Sequence, residues 1–577
     1  MKRSTSNLKT NIFKSDFIRS DLISINLENI LLFWVPYLIS FLIILPIFQI
    51  FFSSFKVEEW GKEAVFTFSN YVYAFSDPRI FDSILNTFWV SAGATAIAAI
   101  VGISLAWLVA RTDMPFKGLF ELFNTFPMFL SPLVGVIAWK YLAAPRAGFL
   151  NHLAQKLFGT DIFNIYGLPG MIWVLGIFFT PTVYLLTVGS LKRMDPALEE
   201  SSRGCGAGIA KTVFKITLPL ASPGILAAIT LVFVMSAGGF AVPLALGSPF
   251  NIETLVTMVF EFLQKARPDY NLAAAAGSIL MVLTISLTYF SRKIISKKSY
   301  ITVTGKGYRP NIIKLGKWKY VGLSWNILYI TVAIFLPVFI LLIISLHSFW
   351  LGFINFNHLT LKHYYELIFV DKYAIGGFKN SLFLGAFGAT IGMISGTITA
   401  YFIQRTRFHG RAIVEYIASL PIGIPGLVLA MGFLLIFIRT PLYGTIWVLM
   451  ICYIIRYTPY ALRSVSAVLL ALSPELDESS RSCGASLRKT IKNITFPLLK
   501  PGFISGWVLL FIVFFREFPI SMLLWSSGNH VISVVLWQLM EHKSAGLTSA
   551  YAIMQLVVIS FVVLITQRIA AKETMAV

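Results

Sequence analysis

The decapeptide EESSRGCGAG at residues 199–208 returns, little changed, as DESSRSCGAS at 477–486. A stretch this polar cannot lie in a bilayer core, and one this short cannot be a domain. A constant spacing between matched residues is the test for an internal repeat. Thr180-Pro181, Glu200, Pro219 and Pro223-Gly224 return 278 positions later as Thr458-Pro459, Glu478, Pro497 and Pro501-Gly502. Upstream the spacing is 294, where Asn86, Arg111-Thr112 and Pro127 match Asn380, Arg405-Thr406 and Pro421, and FTFSNY (66–71) aligns with LTLKHY (359–364) at 293. The second copy is therefore about 16 residues shorter, opposite RAGFLNHLAQKLFGTDIFN (146–164) of the first. That is a polar loop, where a change of length is tolerated.

What is repeated is a membrane protein. Of 577 residues, 57% are hydrophobic and only 13% charged, whereas about a quarter are charged in a soluble domain. Apolar runs near the ~20 residues of a bilayer-crossing helix recur throughout, without the alternation of a β-barrel. They predict twelve spans, at 31–52, 88–110, 123–143, 167–189, 224–245, 273–290, 323–346, 382–403, 418–438, 444–466, 502–524 and 547–567. The expected organisation is a cytoplasmic segment 1–30, a first half 31–290, a basic linker 291–322 and a second half 323–577.

The net charge of +21 raises the question of nucleic acid. The distribution answers it: 32 Lys and Arg fall on one side of the twelve spans and 13 on the other, with Arg456 and Arg516 inside spans. That bias predicts both termini in the cytoplasm and no nucleic-acid partner. Matched points lie six spans apart, so the two copies have the same orientation, a parallel repeat with both decapeptides facing inward. The linker's nine basic and no acidic residues suit anionic lipid head groups, with partner binding the lesser expectation. No removable signal peptide precedes the first span. Cys205, Cys452 and Cys483 support neither a disulfide framework nor a metal site, and no histidines stand at ligand spacing.

Around each decapeptide the residues spell a small helical hairpin. Asp195 with Pro196, and Ser473 with Pro474, can cap and start a helix. Glu200 with Arg203, and Glu478 with Arg481, stand three apart and can pair. Gly206 and Gly484 then end the helix. A short helix that exposes Ser201, Ser202, Ala207 and their counterparts Ser479, Ser480 and Ala485 has the form of an element inserted into a partner's groove. One copy alone would read as a well-capped connection. Two copies with the shared pattern Glu-Ser-Ser-x-x-x-Gly-x9-Ile-x-x-Pro favour docking.

This pattern resembles the "EAA" loop of permease subunits in bacterial ABC importers, whose consensus is Glu-Ala-Ala-x-x-x-Gly-x9-Ile-x-Leu-Pro. Serine replaces both alanines here, while Glu200, Gly206, Ile216, Leu218 and Pro219 match in the first copy, and Glu478, Gly484, Ile494 and Pro497 in the second. The double-length chain, VTGKGYRP (303–310) and REFPISMLL (516–524) are similar to the iron(III)-type permeases, a group that also resembles permeases for thiamine, polyamines and aminoethylphosphonate. The resemblance implies the all-α fold of a type I importer. It further implies two copies of a cytoplasmic ATPase subunit gripping the hairpins, a periplasmic substrate-binding protein, and a bacterial inner-membrane location. The chain has no Gly-x-x-x-x-Gly-Lys-Ser/Thr, so ATP and Mg are expected on the partner and no cofactor on this chain.

Arg516-Glu517 is the most unusual feature within a span. Insertion scales put a charge at the helix centre at about +2.5 to +3.5 kcal/mol, so both should face the bundle interior. The equivalent residues of the first half are Gly238-Gly239, where a helix can break. These four residues are expected to line or gate a translocation path, or else Arg516 and Glu517 form an interior ion pair. Arg456 faces the same cavity or packs on backbone carbonyls. The rival reading is a secondary transporter of six-plus-six parallel spans with Glu517 as its coupling carboxylate; a membrane enzyme finds no catalytic constellation.

Overall fold

A computed structural model describes residues 27–57, 63–195, 197–297, 312–406, 408 and 410–574. The N-terminal 1–26, most of the basic linker (298–311) and Pro196 lie outside the described residues, and with them the expectations placed there.

The described residues are mostly helical, with one two-stranded ribbon of Lys56–Val57 and Val65–Phe66. Nine elements of the first half are α1 (Leu27–Ser54), α2 (Pro78–Arg111), α3 (Pro132–Ala143), α4 (Gly167–Arg193), α5 (Ala197–Gly204), α6 (Leu218–Ala237), α7 (Ala241–Leu246), α8 (Leu255–Gln264) and α9 (Tyr270–Lys297). The second half repeats them as α10 (Trp318–Ser345), α11 (Lys372–Arg405), α12 (Gly426–Phe437), α13 (Ile446–Ala471), α14 (Glu475–Ser482), α15 (Phe496–Phe515), α16 (Pro519–Leu524), α17 (Ile532–His542) and α18 (Ala545–Thr574). Asp77 and Asp371 open α2 and α11 by accepting hydrogen bonds from the first-turn amides, the usual service of an N-cap carboxylate.

Nine of the described helices are each long and apolar enough to cross a bilayer. Of the remaining expected spans, 444–466 falls on α13, the counterpart of α4, which is not among those nine, and two fall on bent segments. Lys117–Phe129 meets α3 at 95°, and Arg411–Gly423 meets α12 at 110°. The spans expected as continuous at 123–143 and 418–438 are therefore broken. Leu130 and Ser131 are extended ahead of Pro132, as Ile424 and Pro425 are ahead of Gly426, and a residue before proline is disfavoured from helix. The fifth and eleventh spans also stop early, at Ala237 and Phe515. Beyond them the chain continues as pairs of shorter helices, α7 with α8, bent by 74°, and the matching α16 with α17.

Close helix contact comes from small residues, as membranes favour. A Cβ on Gly102 of α2 would lie 2.8 Å from Val183 Cβ of α4, and one on the matched Gly396 of α11 only 2.4 Å from Ala461 Cβ of α13. The first helix of each half crosses to the other half. Phe33 of α1 packs edge-on against Phe402 of α11 at 5.6 Å, and Gly432 of α12 leaves room for the Pro46 backbone. Reciprocally, Asn326 of α10 accepts a 3.0 Å hydrogen bond from Asn124, and Trp325 donates to Ser104 of α2. The repeats thus interlock.

Candidate functional site

The two hairpins are built alike. Asp195 accepts from the Ala197 amide at 2.9 Å and Ser473 from the Glu475 amide at 3.3 Å, so the expected side-chain caps form. Gly206 and Gly484 have left-handed backbones, φ 84° and 81°. Their amides reach the carbonyls of Arg203 and Arg481, and the next amides, of Ala207 and Ala485, reach Ser202 and Ser480. This pair of bonds is a Schellman closure, in which glycine at the left-handed position avoids a Cβ penalty. A Cβ on either glycine would meet nothing within 4 Å. The requirement inside this chain is conformational.

Glu200, Ser201, Gly206, Glu478, Ser479 and Gly484 are exposed. Ser202 and Ser480, expected on the same open face, turn inward instead: their hydroxyls bond Thr212 at 3.1 Å and Thr490 at 2.9 Å, tying the two arms of each hairpin. Ala207 and Ala485 are half-buried.

The acid one position before the repeated glutamate holds the hairpin to the membrane helices, a role the sequence reading missed. Glu199 is buried, accepts from Thr217 Oγ1 at 2.6 Å and stands 3.7 Å from Arg111 Nε. Asp477 accepts from Thr495 Oγ1 at 2.7 Å and stands 3.5 Å from Arg405 Nε. Both arginines end their helices and also donate to carbonyls, Arg111 to Met194, Arg405 to Leu469 and Leu472. Thr217 and Thr495 close matched π-turns, a wide turn frequent at functional positions. The signal was available, because Arg111-Thr112 and Arg405-Thr406 match across the repeat and residues 199 and 477 are both acidic.

The four helix breaks converge on a cavity of about 190 Å3 between the halves. Its wall holds Gly238, Gly239, Arg456, Arg516 and Glu517, so all five residues singled out for a path come together, joined by Tyr457, Tyr460, Phe240 and Phe518. Of the two readings offered for Arg516 and Glu517, the mutual ion pair is not the contact they make. Arg516 Nη1 donates to the carbonyls of Met128, at 2.6 Å, and Leu130, which the break before α3 leaves without helical partners. Arg456 Nη1 does the same for Pro421 and Ile424 at the break before α12. Glu517, 4% exposed, accepts from the Ile520 and Ser521 amides at 3.1–3.2 Å and from the Ser521 hydroxyl, satisfying the first turn of α16. The interior Arg516–Glu517 ion pair is thus replaced by three charge-to-backbone contacts, because unwound backbone inside a membrane must be satisfied by protein groups. Gly238 substitutes for Arg516 in the first half, where a Cβ would press on Pro425 at 3.2 Å.

No group of three or more His, Cys, Asp or Glu side chains is placed to hold a metal ion among the described residues.

The family described as binding-protein-dependent transport system inner membrane component matches residues 98–299 and 388–574. The chain is 26% identical to the "Ferric transport system permease protein FbpB" of Actinobacillus pleuropneumoniae, over 91% of this chain and 76% of that one. It is 27% identical to a "Putative ferric transport system permease protein FbpB 1" of Haemophilus influenzae, over 82% and 74%. A shorter relative, the "Spermidine/putrescine transport system permease protein PotC" of Escherichia coli, is 24% identical over 42% of this chain and 90% of its own.

Proposed function

Because this chain belongs to the binding-protein-dependent transport system inner membrane component family, we propose that its two halves form one membrane path of an ATP-driven importer. Two copies of a separate ABC ATPase subunit grip the hairpins at Glu200–Gly206 and Glu478–Gly484, where they bind and hydrolyse ATP with Mg. A substrate-binding protein delivers cargo at the opposite face, which places the hairpins and both termini in the cytoplasm of a bacterial inner membrane. The cavity with Arg456, Arg516, Glu517, Gly238 and Gly239 in its wall is the path. The single observation that carries this reading is the matched pair of exposed hairpin helices, each held to its own bundle by the same Arg–acid–Thr set.

The geometry suits mechanical coupling. A helix exposed on one side and anchored by buried groups on the other moves as one body with the membrane helix that anchors it. Closing the ATPase dimer would then rock α2 and α11, and with them the breaks that line the cavity. Membership of this family argues against the secondary transporter with Glu517 as coupling carboxylate, and Glu517 is engaged by α16.

Ferric iron is the proposed cargo, supported by the names of the two double-length relatives. Thiamine, polyamines and aminoethylphosphonate are the alternatives. The test is reconstitution of the chain with its ATPase and candidate binding proteins in proteoliposomes, following ATP turnover and uptake. Stimulation by an iron-loaded binding protein with accumulation of labelled iron is the expected result. Stimulation only by one of the alternatives would reassign the cargo, and uptake driven by a proton gradient without ATPase would overturn the importer.

A further inference from the structure

Ahead of α10 the chain is stitched to the end of α2. Ile313 pairs in parallel with Thr112. Its amide donates to the Arg111 carbonyl at 2.8 Å, and its carbonyl accepts from the Asp113 amide at 3.1 Å. The Asp113 carboxylate then accepts from the Leu315 amide at 2.8 Å. Ile313 is 3% exposed and Thr112 is fully buried. Three bonds thus hold residues 313–315 to residues 111–113. One of them satisfies the Arg111 carbonyl, which as the last of α2 has no partner within its own helix.

Arg111 is also the residue that holds the first hairpin. Its guanidinium lies 3.7 Å from Glu199 and donates to the Met194 carbonyl, just ahead of α5, at 3.2 Å. The side chain therefore reaches the hairpin while the backbone of the same residue is tied to the strand. Two residues after Leu315 the chain enters α10, which lies along the same stretch of α2. A Cβ on Gly322 would stand 2.7 Å from Leu108, and Trp325 donates to Ser104 at 2.9 Å. The end of α2 is thus packed on chain that leads directly into the second half. At the matched place in the second half the Thr406 carbonyl takes the Arg411 guanidinium instead, and no strand pairs with Arg405–Thr406 among the described residues.

Resting on the importer reading, we propose that the strand Ile313–Leu315 is a positioning element of the first coupling hairpin. It fixes the end of α2, through Arg111 it fixes the hairpin, and it makes the first turns of α10 part of the same body. Helix ends fray when their last carbonyls lack partners, and a side chain on a frayed end transmits displacement poorly. With the Arg111 backbone held, a push at Glu200–Gly206 reaches α2 of the first half and α10 of the second together. Ile313 and Asp113 act through Arg111, and neither touches the exposed face of the hairpin.

The test is hydrogen exchange of the purified full-length chain in nanodiscs, with the second hairpin as internal control. Asp113→Ala removes the acceptor of the Leu315 amide, and Ile313→Pro removes the donor to the Arg111 carbonyl. Each should speed exchange at residues 197–206 at least five-fold and leave 475–484 unchanged, whereas Asp113→Asn, which keeps a side-chain oxygen, should stay within two-fold of the unmodified chain. An unchanged first hairpin, equal acceleration of both hairpins, or an Asp113→Asn chain that behaves like Asp113→Ala overturns the proposal. In the reconstituted importer Asp113→Ala should also lower labelled ferric iron taken up per ATP hydrolysed at least three-fold, and an unchanged ratio overturns the coupling role.

Should the weakened variants fail to reach the membrane, Thr112→Cys/Ile313→Cys, in a chain with Cys205, Cys452 and Cys483 replaced by serine, holds the strand covalently instead. Mild oxidation should form the disulfide within one chain and leave uptake unchanged, since strand and α2 move together. Failure to link, or uptake lost on oxidation and restored by reductant, overturns the proposal. Exchange is read without ATPase, binding protein or cargo, so it tests the strand alone; absence of ATP-driven uptake by the unmodified system refutes the importer alone.

Discussion

Substitution at Gly206 and Gly484 separates two reasons for a glycine at the end of each hairpin helix. Inside the chain the only demand is the left-handed backbone, since a Cβ at either site meets no atom within 4 Å. Alanine in that conformation costs about 1–2 kcal/mol, and asparagine, which visits it readily, less. Such a cost frays the hairpin end without undoing it, because the Ser202–Thr212 and Glu199–Thr217 bonds remain. A partner pressed against the glycine changes the order. Each added heavy atom then intrudes on a packed interface, at about 1–3 kcal/mol for overpacking, and aspartate also sets a negative charge at a helix C-terminus, costing about 0.3–1 kcal/mol more. Docking therefore predicts Ala mildest, Asn worse and Asp worst, with a loss of ten-fold or more in ATPase retention for Asn. A purely conformational role predicts that Asn outperforms Ala. The assay is recovery of the ATPase subunit on tagged permease, together with uptake by cells whose membranes hold the variant at the wild-type level. Normal uptake by Gly206→Asp or Gly484→Asp would refute the coupling role.

Other outcomes can be measured by thermal unfolding in detergent. Glu199→Ala leaves Arg111 buried without its carboxylate and should destabilise by about 3–5 kcal/mol, whereas Arg111→Met/Glu199→Met together should recover most of that loss; equal melting of the single and double variants would count against a buried pair. Arg516→Met strands the Met128 and Leu130 carbonyls and should cost about 1–3 kcal/mol for each group left without a partner. Arg516→Lys, which can still donate, should cost clearly less, and equal losses would show that the carbonyl contacts contribute little. Gly396→Val, against Ala461, should destabilise more than Gly118→Val, whose site is open, and a reversed order would refute the close packing of α11 on α13.

Hydropathy and the repeat made the helical membrane fold, the parallel duplication and the paired hairpins legible, since each depends on local pattern: apolar length, cap residues, a glycine at a helix end. Even the breaks left a trace in Pro132, Pro425 and Gly238-Gly239. What the pattern did not carry is where a charge finds its partner. Arg516 and Glu517 are adjacent in sequence and left a mutual ion pair open as one of two readings, yet helix breaks free carbonyls and amides that are better aimed, one set belonging to the other half of the molecule. Glu199 and Asp477 each precede the repeated glutamate, and are covered, Glu199 almost fully and Asp477 largely, because α2 and α11 end beside them. The crossing of α1 and α10, and the meeting of Phe240 with Phe518, join residues more than 200 positions apart. Sequence periodicity determines which faces must be covered and which groups must be satisfied; which atoms do so follows from packing all the helices against one another at once, and only the tertiary structure decides it.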